Sequence, residues 1–198
     1  TRTGGISQLS PSVFTNYNKD DGLTDVTVNN VAMDRENRFW IAADDGLYCL
    51  QDGKFVKNDL TNRFRGIRIK HVFAHESELY ISTISPLGAA VYSQGAIRYL
   101  NENTGLPSNI IKKTIIDSRN NIWISTSAGI VKKKTDGQLV IRSKNTGFPA
   151  DEIYDIFEDS RGRIWVTTVR NGLFRFDSNG GFVRFSEEDG LSGEMVFS

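Results

Sequence analysis

One short phrase recurs along this chain at nearly constant spacing. It stands at residues 117–126 as DSRNNIWIST and at residues 159–168 as DSRGRIWVTT, with a looser copy, DRENRFWIAA, at residues 34–43. The large aromatic residue of the phrase occurs at Trp40, Tyr80, Trp123 and Trp165, which are 40, 43 and 42 residues apart. A fixed period of this length is typical of a repeat architecture, in which one small unit is stacked several times.

Each copy of the repeat predicts four short strands. An apolar run such as residues 153–157 leads into a polar turn that opens with aspartate, and a second run rich in Ile, Val, Thr and Trp follows. Turns at Gly172 and Gly180 then separate a third and a fourth strand. Tight turns of this kind join neighbouring antiparallel strands. The predicted fold class is therefore all-β, with four four-stranded antiparallel β-propeller blades whose tryptophans lie in the core between blades.

The third copy also resembles a known family. The likeness lies in Gly105-Leu106-Pro107-Ser108-Asn109, in the phrase at residues 115–126 (IIDSRNNIWIST) and in Ala128-Gly129-Ile130. This pattern is similar to the two-component regulator propeller repeat, and it returns four times over nearly the whole chain. The resemblance implies the extracytoplasmic sensor region of a bacterial hybrid histidine kinase, and hence a periplasmic location as part of an inner-membrane protein. It also implies that the chain is a partial arc of a larger propeller, commonly one of seven blades.

The repeat boundaries follow from the same register. We expect a single propeller segment over residues 1–198, with blades at residues 22–56, 57–99, 100–142 and 143–185. Residues 12–18 resemble an outer strand with no blade before it, and residues 186–198 resemble the start of a further blade. An open arc exposes blade faces and strand edges, which natural sheets avoid. The expected partner is therefore the remainder of the same propeller and sensor protomer, with a homodimer of two arcs as the second possibility.

Composition argues against several classes of function. The 24 basic and 24 acidic residues balance, so no net field draws the chain to nucleic acid. No apolar run is long enough to cross a bilayer, so we expect no direct membrane insertion by this segment. One cysteine and two histidines are too few for a zinc site, and His71 and His75 would lie about 13 Å apart on a strand. We predict no metal, no cofactor and no catalytic residue, and we interpret the acidic pairs, such as Asp44-Asp45, as solvated loops.

Basic residues gather in the second copy, which departs most from the repeat. Its lead-in at residues 63–71 loses the Gly-Leu of the other copies and becomes basic. In a propeller such connections share one face, the usual ligand face. The predicted ligand-binding residues are Arg65, Arg68 and Lys70, together with Lys112 and Lys113 of the next blade. Guanidinium groups match carboxylate or sulfate, so the predicted ligand is a small anion such as an acidic or sulfated oligosaccharide. The alternative is a solvated loop whose arginines pair with neighbouring acidic residues.

The functional hypothesis is a non-catalytic sensor module. The resemblance implies signal transduction from a nutrient-derived ligand, often an oligosaccharide, to a histidine kinase elsewhere in the protein. The main alternative is a propeller scaffold that binds a protein partner and senses no small molecule. A glycosidase would need a pair of carboxylates held across a bond, which the sequence does not indicate, and two histidines argue against a His-dependent lyase or a Ser-His-Asp hydrolase.

Overall fold

The chain begins with a hairpin. A computed structural model describes residues 6–10, 13–24, 27–150, 152–177 and 180–193. Strand β1 (Ile6–Ser10) pairs antiparallel with β2 (Val13–Tyr17), with Ile6 opposite Tyr17. The structure thus gives the predicted strand at residues 12–18 a partner that the sequence did not indicate, while residue 12 lies outside the described residues.

Four four-stranded antiparallel sheets follow, each a meander in sequence order. The first sheet contains β3 (Val28–Met33), β4 (Phe39–Ala43), β5 (Gly46–Gln51) and β6 (Lys54–Val56). The second contains β7 (Ile69–His75), β8 (Glu78–Thr83), β9 (Ala89–Ser93) and β10 (Ala96–Leu100). The third contains β11 (Ile111–Ile116), β12 (Ile122–Thr126), β13 (Gly129–Lys133) and β14 (Leu139–Arg142). The fourth contains β15 (Ile153–Glu158), β16 (Ile164–Thr168), β17 (Leu173–Phe176) and β18 (Phe182–Phe185). The all-β fold class and the four four-stranded units are confirmed.

The lead-in to a sheet is a short 3-10 helix in most repeats. These helices are Lys19–Asp21, Glu102–Thr104, Lys144–Thr146 and Glu187–Asp189, and each ends at a glycine in the left-handed conformation. The next residue along is buried at Leu23, Leu106 and Phe148, which explains the recurring pairing of glycine with an apolar residue. The fourth of these helices lies in the predicted further blade, of which residues 194–198 are outside the described range.

An α-helix takes the place of that lead-in before the second sheet. Helix α1 (Asp59–Arg63) begins at Asn58, whose side chain accepts a hydrogen bond from the Thr61 amide at 2.9 Å. In return the Thr61 hydroxyl accepts from the Asn58 amide at 2.9 Å, which completes a capping box. Leu60 and Phe64 are buried, so the helix is anchored by its apolar side. The sequence analysis did not predict this helix.

The first turn of a sheet is organised by one aspartate. In the third sheet, the Asp117 carboxylate accepts hydrogen bonds from the Arg119 and Asn121 amides at 3.0 and 2.8 Å and from the Trp123 indole at 2.7 Å. The same arrangement recurs at Asp34 with Trp40 and at Asp159 with Trp165. Trp40 and Trp123 are buried, as predicted, whereas Trp165 is half-buried and contacts Phe185.

The chain divides into two compact units. The first unit comprises residues 1–85 and 90–98, and the second comprises residues 86–89 and 99–198. In the first unit, β3 and β4 contact β7, and an apolar cluster joins Tyr17 and Leu23 to Ile41 and Leu50. In the second unit, β11 and β12 contact β15, and Phe148 lies in an apolar cluster that both sheets share. Among the described residues, no helix is long and apolar enough to cross a membrane.

Candidate ligand-binding site

The five predicted ligand-binding residues fall into two groups. Arg65, Arg68 and Lys70 belong to the first unit, and Lys112 and Lys113 belong to the second. Lys70 and Lys112 occupy equivalent places, because the first strand of each four-stranded sheet has a register shift at this point. A β-bulge of this kind redirects a side chain away from the regular alternation of the strand.

Both lysines of the second unit are paired with acidic residues of the neighbouring strand β15 or the residue before it. The Lys112 ammonium lies 3.2 Å from a Glu152 carboxylate oxygen, and the Lys113 ammonium lies 2.5 Å from one of Asp155. The side chains of Lys112 and Lys113 are 22% and 24% exposed, so solvent screens these pairs only in part. The charges of both lysines are therefore already balanced by carboxylates of the same chain.

Two of the three basic residues of the first unit also have polar partners. The Arg68 guanidinium lies 2.9 Å from the Asp44 carboxylate, and the Lys70 ammonium donates to the Asn29 side-chain oxygen at 3.0 Å. The amide group of Asn29 donates in turn to Asp44 at 2.8 Å and to the Ile69 carbonyl at 2.8 Å. Burial alone would raise the pKa of Asp44, but the hydrogen bonds from Asn29 and Arg68 outweigh it and lower that pKa. Asp44 is therefore a paired carboxylate and does not lie in a solvated loop, contrary to the sequence-based interpretation.

Arg65 differs from the other four residues. Its side chain is exposed, and within the part of the chain that the structure describes it makes no ion pair. The backbone places it two residues after α1, where the Gly66 amide donates to the Asp45 carbonyl at 2.6 Å. This hydrogen bond holds the lead-in of the second sheet against the turn between β4 and β5. Among the described residues, Arg65 is thus a positioned cation whose charge is not paired.

Arg65 lines a pocket of about 310 Å³ in the first unit, here called the Tyr48 pocket. Its lining residues are Asp21, Gly22, Thr24, Asp45, Gly46, Leu47, Tyr48, Cys49, Phe55, Val56, Lys57, Thr61, Asn62 and Arg65. The volume is at the lower end of the range for small-molecule sites. The pocket lies where the lead-ins to the first and second sheets meet the β4–β5 turn and strand β6.

One wall of the Tyr48 pocket is apolar. Leu47, Phe55 and Val56 contribute to it, and the rings of Tyr48 and Phe55 meet edge to face with centroids 6.0 Å apart. Phe55 in turn contacts the buried Tyr17 ring, also edge to face, at 5.9 Å. Such aromatic pairs fix the orientation of both rings, so the wall is preformed.

The opposite end of the pocket is polar and acidic. The Tyr48 hydroxyl donates to the Asp45 carboxylate at 2.8–2.9 Å, and the Thr24 hydroxyl also contacts that carboxylate. The two hydroxyl oxygens lie 2.6 Å apart. Burial raises the pKa of Tyr48, and the adjacent Asp45 adds to this effect despite the contact with Thr24, so the phenol remains a donor. Asp45, like Asp44, is half-buried and structured, which corrects the interpretation of this acidic pair as solvated.

The Tyr48 pocket was not predictable from the repeat, because part of its lining comes from α1 and the residues after it. Helix residues and the residues just after them supply Thr61, Asn62 and Arg65 to the lining. The signal was present as Asn58 followed three residues later by Thr61, a pairing that can cap a helix from both sides. Among the described residues, no group of three or more His, Cys, Asp or Glu side chains gathers as metal ligands.

Comparison with known proteins agrees with the resemblance. A family model described as two component regulator propeller matches residues 147–170. These residues begin at the glycine that ends the lead-in helix and contain the first two strands of the fourth sheet, so the match covers the part of the repeat that carries the aspartate and the tryptophan. Among curated proteins no match to the chain is found.

Solved structures share the fold at low sequence identity. The extracellular domain of a protein described as a hybrid two component system from B. thetaiotaomicron matches 97% of this chain with a TM-score of 0.81 and 22% identity. PorZ, a surface component of the type-IX secretion system of Porphyromonas gingivalis, matches 100% with a TM-score of 0.74 and 13% identity. Virginiamycin B lyase from Staphylococcus aureus matches 80% with a TM-score of 0.57 and 16% identity.

These likenesses establish the fold and leave the activity open, since one fold serves an extracellular domain of a hybrid two component system, a secretion-system component and a lyase. The chain spans 27%, 33% and 55% of the length of those three structures, respectively. The predicted resemblance is confirmed: residues 147–170 match the two component regulator propeller, and the chain has the all-β fold of an extracellular domain of a hybrid two component system.

Proposed function

We propose that this chain is part of the extracytoplasmic sensor module of a two-component signalling protein, and that it binds a small ligand without transforming it. The regulator-propeller match and the likeness to an extracellular domain of a hybrid two component system support the proposal. The observation that carries it is the Tyr48 pocket, which combines a preformed aromatic wall with Arg65, a cation that makes no ion pair among the described residues.

Arg65 is the principal anion-binding residue in this proposal. Its guanidinium offers a planar set of donors that suits a carboxylate or a sulfate, as on an acidic or sulfated saccharide. Arg68 and Lys70 follow it along the same segment, outside the pocket lining. The Arg68–Asp44 pair is 49% and 32% exposed, and an ion pair as exposed as this is worth at most about 1 kcal/mol, so a ligand could displace it. Lys112 and Lys113 belong to the second unit and are already paired with Glu152 and Asp155, so we assign them no role at the Tyr48 pocket.

Signalling requires more than the residues described here. A ligand shifts a conformational equilibrium only if it binds one state more tightly than the other. We therefore propose that ligand binding favours one arrangement of sensor protomers, formed with the remainder of the propeller or with a second copy of the chain. The periplasmic location and a histidine kinase in the same protein belong to this proposal, and both rest on the family likeness.

Ligand-dependent stabilisation of the protein tests the proposal. A panel of neutral, acidic and sulfated oligosaccharides is added, and the melting temperature is measured, because a ligand that binds only the folded state raises it. We expect anionic members to raise it. Arg65→Ala should weaken that binding about 10- to 100-fold, the equivalent of one charge-assisted hydrogen bond. Arg35→Ala is the matched control, since Arg35 is exposed in the β3–β4 turn at the other end of the first sheet.

Three other results would separate the alternatives. Anion binding that is equal in the wild type and in Arg65→Ala would remove Arg65 from the site. A protein that responds to no saccharide but captures a defined protein partner would be an interaction scaffold. Release of a cleaved product from any panel member, detected by mass spectrometry, would show an enzyme, as in the lyase that shares the fold.

A further inference from the structure

Two opposite charges line the Tyr48 pocket without neutralising each other. Asp45 and Arg65 lie on neighbouring segments that the hydrogen bond from the Gly66 amide to the Asp45 carbonyl ties together. The segments are also in close contact at Gly46, where an added Cβ would lie 3.3 Å from the Phe64 carbonyl oxygen and 3.5 Å from the Arg65 Cα. The backbone therefore fixes the spacing, yet within the described ranges the two side chains form no ion pair.

Among the described residues, the Asp45 carboxylate accepts hydrogen bonds from neutral donors only. Tyr48 and Thr24 contact it through their hydroxyl groups, and no cationic side chain of the described residues lies within ion-pair distance. A carboxylate offers about four acceptor positions, so these hydroxyls leave acceptor capacity free. Asp44, the preceding residue, is by contrast paired with Arg68. Among the described residues, Asp45 is thus a half-buried carboxylate hydrogen-bonded by hydroxyl groups alone, and a cationic group of a ligand would add an attraction that no side chain there supplies.

The rest of the pocket limits what can occupy it. The volume of about 310 Å³ admits a compact molecule and excludes a long chain in full contact with the lining. Phe55 and Val56 offer apolar contact, and burial raises the pKa of the Cys49 thiol, which keeps that side chain neutral. Four charged residues line the pocket: Asp21, Asp45, Lys57 and Arg65. The Asp21 carboxylate already accepts a hydrogen bond from the Asn18 amide at 2.9 Å. Asp45 and Arg65, on segments joined by a backbone hydrogen bond, are the pair of opposite charges placed to meet one ligand.

We propose that the Tyr48 pocket binds a compact dipolar ligand that carries an ammonium group for Asp45 and a carboxylate or sulfate for Arg65. The skeleton between the two groups packs on Phe55. This inference rests on the proposed function, since it specifies the ligand class of the same site. Both a sulfated amino sugar and a free amino acid have this chemistry, and the experiment distinguishes these two sources.

The experiment compares matched probes that lose one end at a time. Glucosamine 6-sulfate is compared with N-acetylglucosamine 6-sulfate, which lacks the ammonium, and with glucosamine, which lacks the sulfate. Leucine is compared with N-acetylleucine and leucinamide in the same way. Affinity is measured by calorimetry on the wild-type protein, and no variant is needed for this first result. We expect at least one complete probe to bind about 10-fold or more tightly than both of its truncated forms.

Two variants then show which residue binds each charged end of the ligand. Asp45→Asn should remove the preference for the free amine over the N-acetyl form, and Arg65→Ala should remove the preference for the anionic form. Asp52→Asn is the control, because Asp52 is an exposed turn residue outside the lining. A preference pattern that is unchanged in Asp45→Asn would overturn the assignment of the ammonium to Asp45.

Failure of this inference can be told apart from failure of the proposed function. If the N-acetylated sulfate binds as tightly as the free amine and Arg65→Ala still weakens it, the dipolar ligand is excluded and the anion sensor stands. If no probe of either series binds, the inference is overturned, while the oligosaccharide panel decides separately on the sensor.

Discussion

At the scale of single residues, the turn aspartates accept more hydrogen bonds than the turn itself requires. Asp117 is buried and accepts hydrogen bonds from two backbone amides, from the Asn121 side chain and from the Trp123 indole. One carboxylate therefore fixes the shape of the turn and the position of the large core side chain six residues later. Where the aspartate is replaced by His75, the pairing changes too: Tyr80 donates to Glu78, and Arg98 pairs with the same carboxylate at 2.9 Å.

Loss of the Asp117 carboxylate should be costly. Asp117→Ala leaves the Trp123 indole and the Asn121 amide as buried donors without an acceptor, and we expect the free energy of unfolding to fall by about 2–4 kcal/mol. Urea unfolding followed by tryptophan fluorescence measures the change. The control is Asp136→Ala, because Asp136 is an exposed turn aspartate that accepts from the Gln138 amide. Equal losses in the two variants would contradict the special role of Asp117.

The same hydrogen bonds predict a pH dependence. Burial alone would raise the pKa of Asp117, but the hydrogen bonds from Trp123 and Asn121 outweigh it and hold that pKa below the usual 3.8. A carboxyl group whose pKa is lower in the folded state stabilises the fold above the unfolded-state value, and this contribution is lost as the pH falls through the folded-state value. The pKa of Asp34 is lowered as well. We therefore expect stability to decline as the pH falls below about 3.8.

Trp123→Phe isolates the part of this decline that belongs to Asp117. The phenyl ring keeps most of the apolar contact but donates no hydrogen bond, so the pKa of Asp117 should move up towards its unfolded-state value. The loss of stability between about pH 6 and about pH 3, measured by urea unfolding, should then be smaller than in the wild type. An unchanged slope would show that Trp123 does not hold the pKa of Asp117 down.

At the scale of elements, the repeat made most of the strands predictable. Period, turn residues and β-branched runs recur in every copy, so each copy supports the interpretation of the others. The elements that break the repeat were not predictable in the same way. Strand β1 lies in a polar segment without a repeat partner, and α1 replaces a lead-in whose usual glycine is missing.

The candidate site was predictable only in part, for the same reason. The basic segment was visible in sequence, but the Tyr48 pocket depends on α1 and on the side chains that face it. Charge alone could not show that Arg68 pairs with Asp44 while Arg65 stays available. The six-residue spacing from turn aspartate to tryptophan was visible three times, and its meaning became clear only from the indole hydrogen bond.

Close approach of strands within a sheet makes one glycine essential. Gly129, the first residue of β13, has a φ of +126°, and an added Cβ would lie 2.5 Å from the Arg142 carbonyl oxygen. Backbone cannot move away as a flexible side chain would, so Gly129→Ala should lower the free energy of unfolding by about 2–4 kcal/mol. Gly137→Ala is the matched control in the next turn, where φ is +89° and no heavy atom lies within 4 Å of the added Cβ. The control should cost about 1 kcal/mol.

At the scale of the whole molecule, we expect the free energy of unfolding to be divided between the two compact units, because residue contacts cluster within each of them. In stacked repeats each unit contacts its neighbours, so the energy is approximately a sum of local terms. The second unit has its own apolar cluster around Phe148, which is 1% exposed and contacts Phe174 and Phe176 with ring centroids 4.7 and 5.6 Å apart. The first unit has a separate cluster that includes Ile41. We therefore expect a substitution in one cluster to destabilise mainly the unit that contains it.

Phe148→Ala tests this division by native-state hydrogen exchange. Removing a fully buried phenylalanine costs about 3–5 kcal/mol, because apolar contact is lost and a cavity remains. We expect amides of β12, β15 and β16 to lose protection by a comparable amount, while amides of β4 and β5 keep theirs. Ile41→Ala is the reciprocal control and should reverse the pattern. Equal loss of protection at all of these strands, in both variants, would show that the two units unfold as one cooperative body and that the contacts alone do not set the cooperative unit.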